Sequence, residues 1–157
     1  MVTEQDVIKM VKLCMKHLRK KQYELNLSPK HSEMALRYLK TYNRTRGRSW
    51  GGFCILSINL KCWQFGNKRW TEYKRFNKDK VIGQIDVTDD QDILLLLVAH
   101  EVSHFVQYTC TGVMPEKFKK RFREDRGHGE GFQYLYRILR RDLVNPMIES
   151  KKEKVAA

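Results

Sequence analysis

The feature that most constrains this chain is the run Ile93-Leu94-Leu95-Leu96-Leu97-Val98-Ala99. Seven consecutive apolar residues leave no polar face for water, so the element they form must be covered on every side. Just upstream, Thr88-Asp89-Asp90-Gln91 has the order of a capping box, with Thr88 bonding the N3 amide and Gln91 reaching back. Asp89, Asp90 and Asp92 also suit the positive end of a helix. The pattern predicts a helix buried at the centre of the fold, ending near Cys110 before Thr111-Gly112.

Polar residues follow this run where burial would make them costly. His100-Glu101-Val102-Ser103-His104 is an H-E-x-x-H motif. A spacing of four puts both histidines one turn apart on one helix face, so their imidazoles can bind a single Zn2+. Glu101 lies about 100° round the helix, too far to be the natural third ligand, but can act as general base. With five histidines in the chain, accidental occurrence of the motif is expected only about 0.01 times. Two histidines and a glutamate beside such a run are also expensive to bury without a ligand or partner. A catalytic zinc keeps three protein ligands and one open position. His128 is the candidate third ligand, because Gly127 and Gly129 permit a tight turn towards the helix. Glu124 and Glu130 are its rivals, and His17 and His31, far upstream in basic segments, are expected at the surface.

Charge divides the chain. The net charge is +13, yet residues 1–80 hold 19 Lys+Arg against 6 Asp+Glu, while residues 81–157 hold 12 of each. Within residues 37–80, aromatics interleave with the basic side chains. Cations that neutralise phosphates beside rings that stack on unpaired bases make up a single-strand nucleic-acid surface. The candidate contacts are Arg44, Arg46, Arg48, Trp63, Lys68, Arg69, Trp70, Lys74 and Arg75, with Lys119, Lys120 and Arg121 from the second half. Hydrophobic residues at 41% argue against disorder. The longest stretch without Asp, Glu, Lys or Arg is Val102–Pro115, too short for a membrane span of roughly 20 residues. Met1–Asp6 has neither a basic flank nor an apolar core, so an intracellular protein is expected. Cys14, Cys54, Cys62 and Cys110 lack C-x2-C spacing and read as free thiols.

The rest predicts one α+β domain over residues 1–149, with a basic half (1–80), a zinc-site half (81–149) and a frayed tail (150–157). A helix over 4–24 carries Val7, Val11, Met15 and Leu18 on one stripe. Ser32 caps a second helix to Asn43, and Arg44–Ser49 is a basic loop. Residues 53–60 form a strand, 61–80 a basic loop or hairpin, and Val81–Val87 a second strand weakened by Gly83. Residues 116–126 are a charged helix or loop. Phe132–Leu143 is the final helix, stopped by Pro146.

His100–His104 followed by His128-Gly129-Glu130-Gly131-Phe132 resembles the SprT-like metallopeptidases, including the Spartan DNA-repair proteases, whose pattern is H-E-x-x-H then H-G-x-x-[FW]. Gly51-Gly52-Phe53 through Ile58-Asn59-Leu60 is similar to their strand before the active helix. The resemblance spans roughly residues 30–143. It implies a zincin-like fold: N-terminal helices, a small antiparallel or mixed sheet, a buried H-E-x-x-H helix and a C-terminal helix. It further implies one Zn2+ on His100, His104 and His128, a catalytic Glu101, and protein substrates bound or crosslinked to DNA. That DNA would be single-stranded or a disrupted duplex, met by a monomer in the cytoplasm, or in the nucleus if the source is eukaryotic. Two other readings stand beside it: a nucleic-acid-binding protein with a structural zinc, and a metallopeptidase with no nucleic-acid role. The oxyanion stabiliser is open among Tyr134, Tyr136 and an arginine. Asp125 and Glu130 are the sequence neighbours that could orient His128.

Overall fold

Thr3 opens the first helix. Its hydroxyl accepts from the Asp6 amide while the Asp6 carboxylate accepts from the Thr3 amide, a complete capping box. In the computed structural model, which describes residues 2–21, 38–40, 46–50, 53–109 and 127–156, this helix is α1, Glu4–Lys20. It ends short of the expected residue 24. Its buried stripe is Val7, Val11, Cys14 and Leu18; Cys14 takes the place expected of Met15, which is only partly buried. The steps of four, three and four keep that stripe closer to one helix face.

Three short strands follow, and two of them correct the sequence reading. Tyr38–Lys40 is strand β1, not helix, and Arg46–Trp50 is strand β2, not loop. Both pair with β3, Phe53–Ser57, in the order β1-β3-β2. β1 runs parallel to β3 with Leu39 opposite Leu56; β2 runs antiparallel with Trp50 opposite Phe53. Pairing with β3 overrides the local pattern, because propensity is a weak prior in short segments. Only Gly51-Gly52 separates β2 from β3 in sequence, the spacing of a two-residue hairpin. The remaining residues of the expected second helix, and residues 110–126, lie outside the described residues.

Residues 61–89 wrap the site in turns. Strand β4, Arg69–Trp70, pairs antiparallel with β5, Ile85–Asp86, and a short 3-10 turn covers Lys74–Phe76. The expected strand Val81–Val87 shrinks to β5 because Asp79 captures the chain before it. The Asp79 carboxylate accepts from the Val81 and Ile82 amides, and its carbonyl accepts from Gly83 N–H at 3.0 Å. A Cβ at Gly83 would lie 2.4 Å from the Asp79 carbonyl oxygen. Only glycine fits that approach.

The apolar run forms α2, Asp90–Thr109, and each residue from Ile93 to Ala99 is buried. Its cap is Asp89 rather than Thr88: Asp89 Oδ1 accepts from the Gln91 and Asp92 amides, while Asp92 reaches back to Thr88 N–H at 2.8 Å. The capping half moves by one residue to Asp89, since aspartate caps as well as threonine, while the return bond still ends on Thr88. Helix α1, strands β2 and β3, and α3 (Glu130–Leu139) all pack on α2. The chain then widens into a π turn, Arg140–Val144, and continues as α4, Asn145–Ala156.

Thus Pro146 does not stop the chain, and residues 150–156 are helical rather than frayed. Pro146 directly follows the π turn, whose wider spacing interrupts the regular ladder in which a missing amide would be felt. Asn145 bonds Val81 O and Arg140 Nε, and Val144 and Ile148 are fully buried. Lys151 adds contacts to Asp89 and Asp92. The result is an α+β fold with a small mixed sheet and one contiguous apolar core among the described residues. No helix among them is long and apolar enough to cross a membrane.

Candidate metal centre

Helical spacing and a glycine turn bring three histidines together. His100 and His104 stand one turn apart on α2, and both are buried. Gly127 takes φ +92°, a left-handed conformation that favours glycine, and so turns His128 towards them. Gly129 then caps α3 through its carbonyl, which accepts from Gln133 N–H. His128 Nε2 lies 3.0 Å from His100 Nε2 and 3.1 Å from His104 Nε2. One ligand atom from each histidine falls within 4.8 Å of the others, a group that can hold a metal ion.

The donor set fits such an ion. A zinc ion about 2.0–2.1 Å from each imidazole nitrogen would space tetrahedral ligands about 3.3 Å apart, close to the observed separations. Burial, helped by the neighbouring His100, depresses His104 to about 3 and His128 to about 4. Both are therefore neutral at pH 7, as imidazole ligands must be. Of the rivals for third ligand, Glu130 sits in the first turn of α3, outside the histidine group; Glu124 lies outside the described residues.

Several side chains fix the imidazoles. Glu72, 6% exposed, places Oε1 3.2 Å from His100 Nδ1, leaving Nε2 for the centre. The approach is not well aligned for a hydrogen bond, so the pairing is principally electrostatic. Glu72 Oε2 accepts from Trp70 Nε1 at 3.2 Å, and Glu72 also bonds Tyr136. Arg140, fully buried, donates to the Tyr136 hydroxyl and to the carbonyls of Ile82 and Gly83. His104 Nδ1 meets Gln107 Oε1 at 3.3 Å, and the Phe132 ring stacks on His104. The His128 carbonyl accepts from Arg75 and Gln133, and Tyr73 packs on its ring at 4.1 Å. Glu72 and Tyr73 are not marked in the sequence as site residues, and Arg75, expected on a nucleic-acid surface, instead holds the His128 carbonyl. The segment that carries them reads as a basic surface, and no local signal marks a carboxylate that acts on a distant helix.

The electrostatics separate two glutamates. Burial alone would raise Glu72, but His100, Tyr136 and Trp70 outweigh it and hold the carboxyl at about 2. Glu101 lacks such compensation: burial, opposed by His100 and reinforced by Glu72, pushes it up to about 7. Burial would likewise lower His100, yet Glu72 and Glu101 leave it raised. A cavity of about 490 Å³ opens beside these groups, with His100, Glu101, Glu72 and Tyr73 in its wall. One buried carboxylate is committed to structure, and the other faces the cavity with a pKa near neutrality.

The expected nucleic-acid residues are only partly assembled. Trp63 is 75% exposed, and Lys68, Arg69, Lys74 and Arg75 are exposed. Arg69 pairs with Asp86 at 2.6 Å, and Arg75 holds the His128 carbonyl. Trp70 is a correction: it is 2% exposed and bonded to Glu72, so its ring is core rather than a stacking face. Arg46 and Arg48 lie two apart on β2. Arg44, Lys119, Lys120, Arg121 and Asp125 fall outside the described residues, as does His31. His17 is not simply a surface residue; its Nε2 faces Asp142 at 4.0 Å, and burial lowers its pKa. Tyr136 is committed to Arg140 and Glu72, which removes it as an oxyanion donor.

Comparison of the chain with family models, curated proteins and solved structures found no match.

Proposed function

We propose that this protein is a zinc-dependent endopeptidase of SprT-like, zincin-like type, acting on proteins bound or crosslinked to DNA. The observation that carries this reading is the convergence of His100, His104 and His128 beside a buried Glu101 that faces a cavity. His100, His104 and His128 would hold the ion through Nε2. When bound, zinc supplies a Lewis acid that polarises a carbonyl and acidifies water. Glu101 takes the proton from the attacking water and delivers it to the leaving amine. Glu101 suits that exchange by position, as a buried carboxylate in the cavity wall beside the three histidines. Glu72 keeps the His100 ring oriented, and Phe132 packs against His104.

The DNA part of the proposal rests on the basic excess of residues 1–80 and on the exposed Lys68 and Lys74. A structural zinc needs no carboxylate beside an open cavity, so the position of Glu101 favours catalysis over a purely structural centre. Protein cleavage by the zinc-loaded wild type and Glu101→Gln, with and without single-stranded DNA, tests both parts. Cleavage by the wild type alone, stimulated by DNA at low salt, is expected. Equal cleavage by the variant would remove the mechanism, and indifference to DNA would remove the nucleic-acid role.

A further inference from the structure

Four large apolar side chains are exposed among the described residues: Trp63 at 75%, Tyr73 at 56%, Met147 and Val155. The two aromatic ones both line the cavity beside His100 and Glu101. So much ring surface left in water marks a binding site rather than a packing accident. Trp70, Leu97 and Cys62 add apolar surface to a wall that also carries Asn59, Gln64, Thr71, Glu72, His100 and Glu101. Several of its polar groups are engaged within the chain. Gln64 exchanges two hydrogen bonds with the Thr71 backbone, at 3.2 and 2.8 Å, and Asn59 Oδ1 accepts from Lys61 N–H. Glu72 is held by Trp70 and His100.

The cavity therefore offers an occupant exposed ring faces, beside polar groups of which several are already bonded. Glu72 and Glu101 are the carboxylates in the wall, beside His100. A volume of about 490 Å³ lies within the range of small-ligand sites, roughly 300–1,000 Å³, and takes a large side chain with its backbone. We propose that this cavity receives a bulky apolar side chain, aromatic or long aliphatic, of a polypeptide substrate, next to the bond that Glu101 addresses. The proposal rests on the peptidase reading and names the substrate feature that this reading leaves open. Trp63 is its specificity-determining residue. Exposed as it is, Trp63 can be replaced without disturbing the core.

Two measurements on the full chain test the proposal separately from that reading. In the first, N-acetyl-phenylalanine amide, the lysine and alanine analogues, and thymidine monophosphate are titrated while the Thr71 and Tyr73 backbone amides are followed by NMR. The phenylalanine amide is expected to shift those signals, and Trp63→Ala to weaken it about tenfold. Equal or stronger shifts with the lysine amide or the nucleotide overturn the proposal, as does no shift with phenylalanine. In the second, a peptide mixture is digested by the zinc-loaded protein and the cut sites are sequenced. Enrichment of Phe, Leu or Met at one position flanking the cut, lost in Trp63→Ala, supports the pocket; cuts with no such preference overturn it. Phenylalanine amide binding with no cleavage of any peptide upholds the pocket and removes the peptidase reading.

Discussion

Glu72 and His100 are 28 positions apart in sequence and 3.2 Å apart in space. Carboxylates that orient a metal-binding histidine typically contribute 10–100-fold in metal affinity. Glu72→Gln is therefore expected to weaken zinc binding by about that factor in a chelator competition, with far-UV circular dichroism unchanged. Unaltered affinity would confine Glu72 to packing with Trp70. At this scale the sequence shows the site's inner atoms and hides their supports. His100, Glu101 and His104 are legible because helical spacing alone unites them. His128 is legible because glycines flank it. Glu72 reaches the site only through β4 and the turns around it, and nothing near Glu72 in sequence announces a histidine. The burial of Trp70 is hidden for the same reason, since interleaved charge and aromatics look alike whether a ring faces solvent or core.

Among the elements, the turn that ends at Gly83 carries two consequences. Arg137 pairs with Asp79 while the same carboxylate caps the Val81 and Ile82 amides, and these contacts outweigh burial to hold Asp79 at about 2. Its unfolded value is near 3.8, so its contribution is fully present above that pH and is lost as pH falls through about 2. Asp79→Asn should cost about 1–2 kcal/mol at pH 7 and flatten the acid limb of the stability curve between those values. A parallel curve in both proteins would show the pair to be inert. Gly83→Ala, whose new methyl meets three backbone carbonyls, should destabilise by about 2–4 kcal/mol in urea unfolding. Helix α4 gives a third case. Ile148→Ala is expected to cost about 2–4 kcal/mol, and Met147→Ala, at an exposed neighbour, less than about 0.5 kcal/mol. Equal costs would mean that α4 does not dock as described. This docking was hidden from sequence because proline usually reads as a stop. Only the π turn at Arg140–Val144, with Asn145 bonded to Val81 and Arg140, shows how the chain continues. The strands were harder still: β1 and β2 are held by pairing with β3, whereas α1 and α2 carry their periodicity and caps in their own residues.

Across the whole molecule, the excess charge and the chemistry occupy different parts of the chain. The net +13 belongs to residues 1–80, whereas the three histidines and Glu101 belong to a half of net charge zero. Yet the halves are not independent, because Glu72, Tyr73 and Arg75 from the basic half brace the histidines of the other. A metal that binds only the folded chain stabilises it by mass action, about 4 kcal/mol at a thousand times Kd. Chelation should therefore lower Tm of the wild type and leave an unmetallated variant where it is. The most direct test of a three-histidine centre is zinc content per chain, measured by elemental analysis on the wild type and His128→Ala after equilibration at limiting free zinc. One zinc per wild-type chain and a large loss in the variant are expected. The same stoichiometry and affinity in both would remove His128 from the centre, and with it the site on which the proposed function stands.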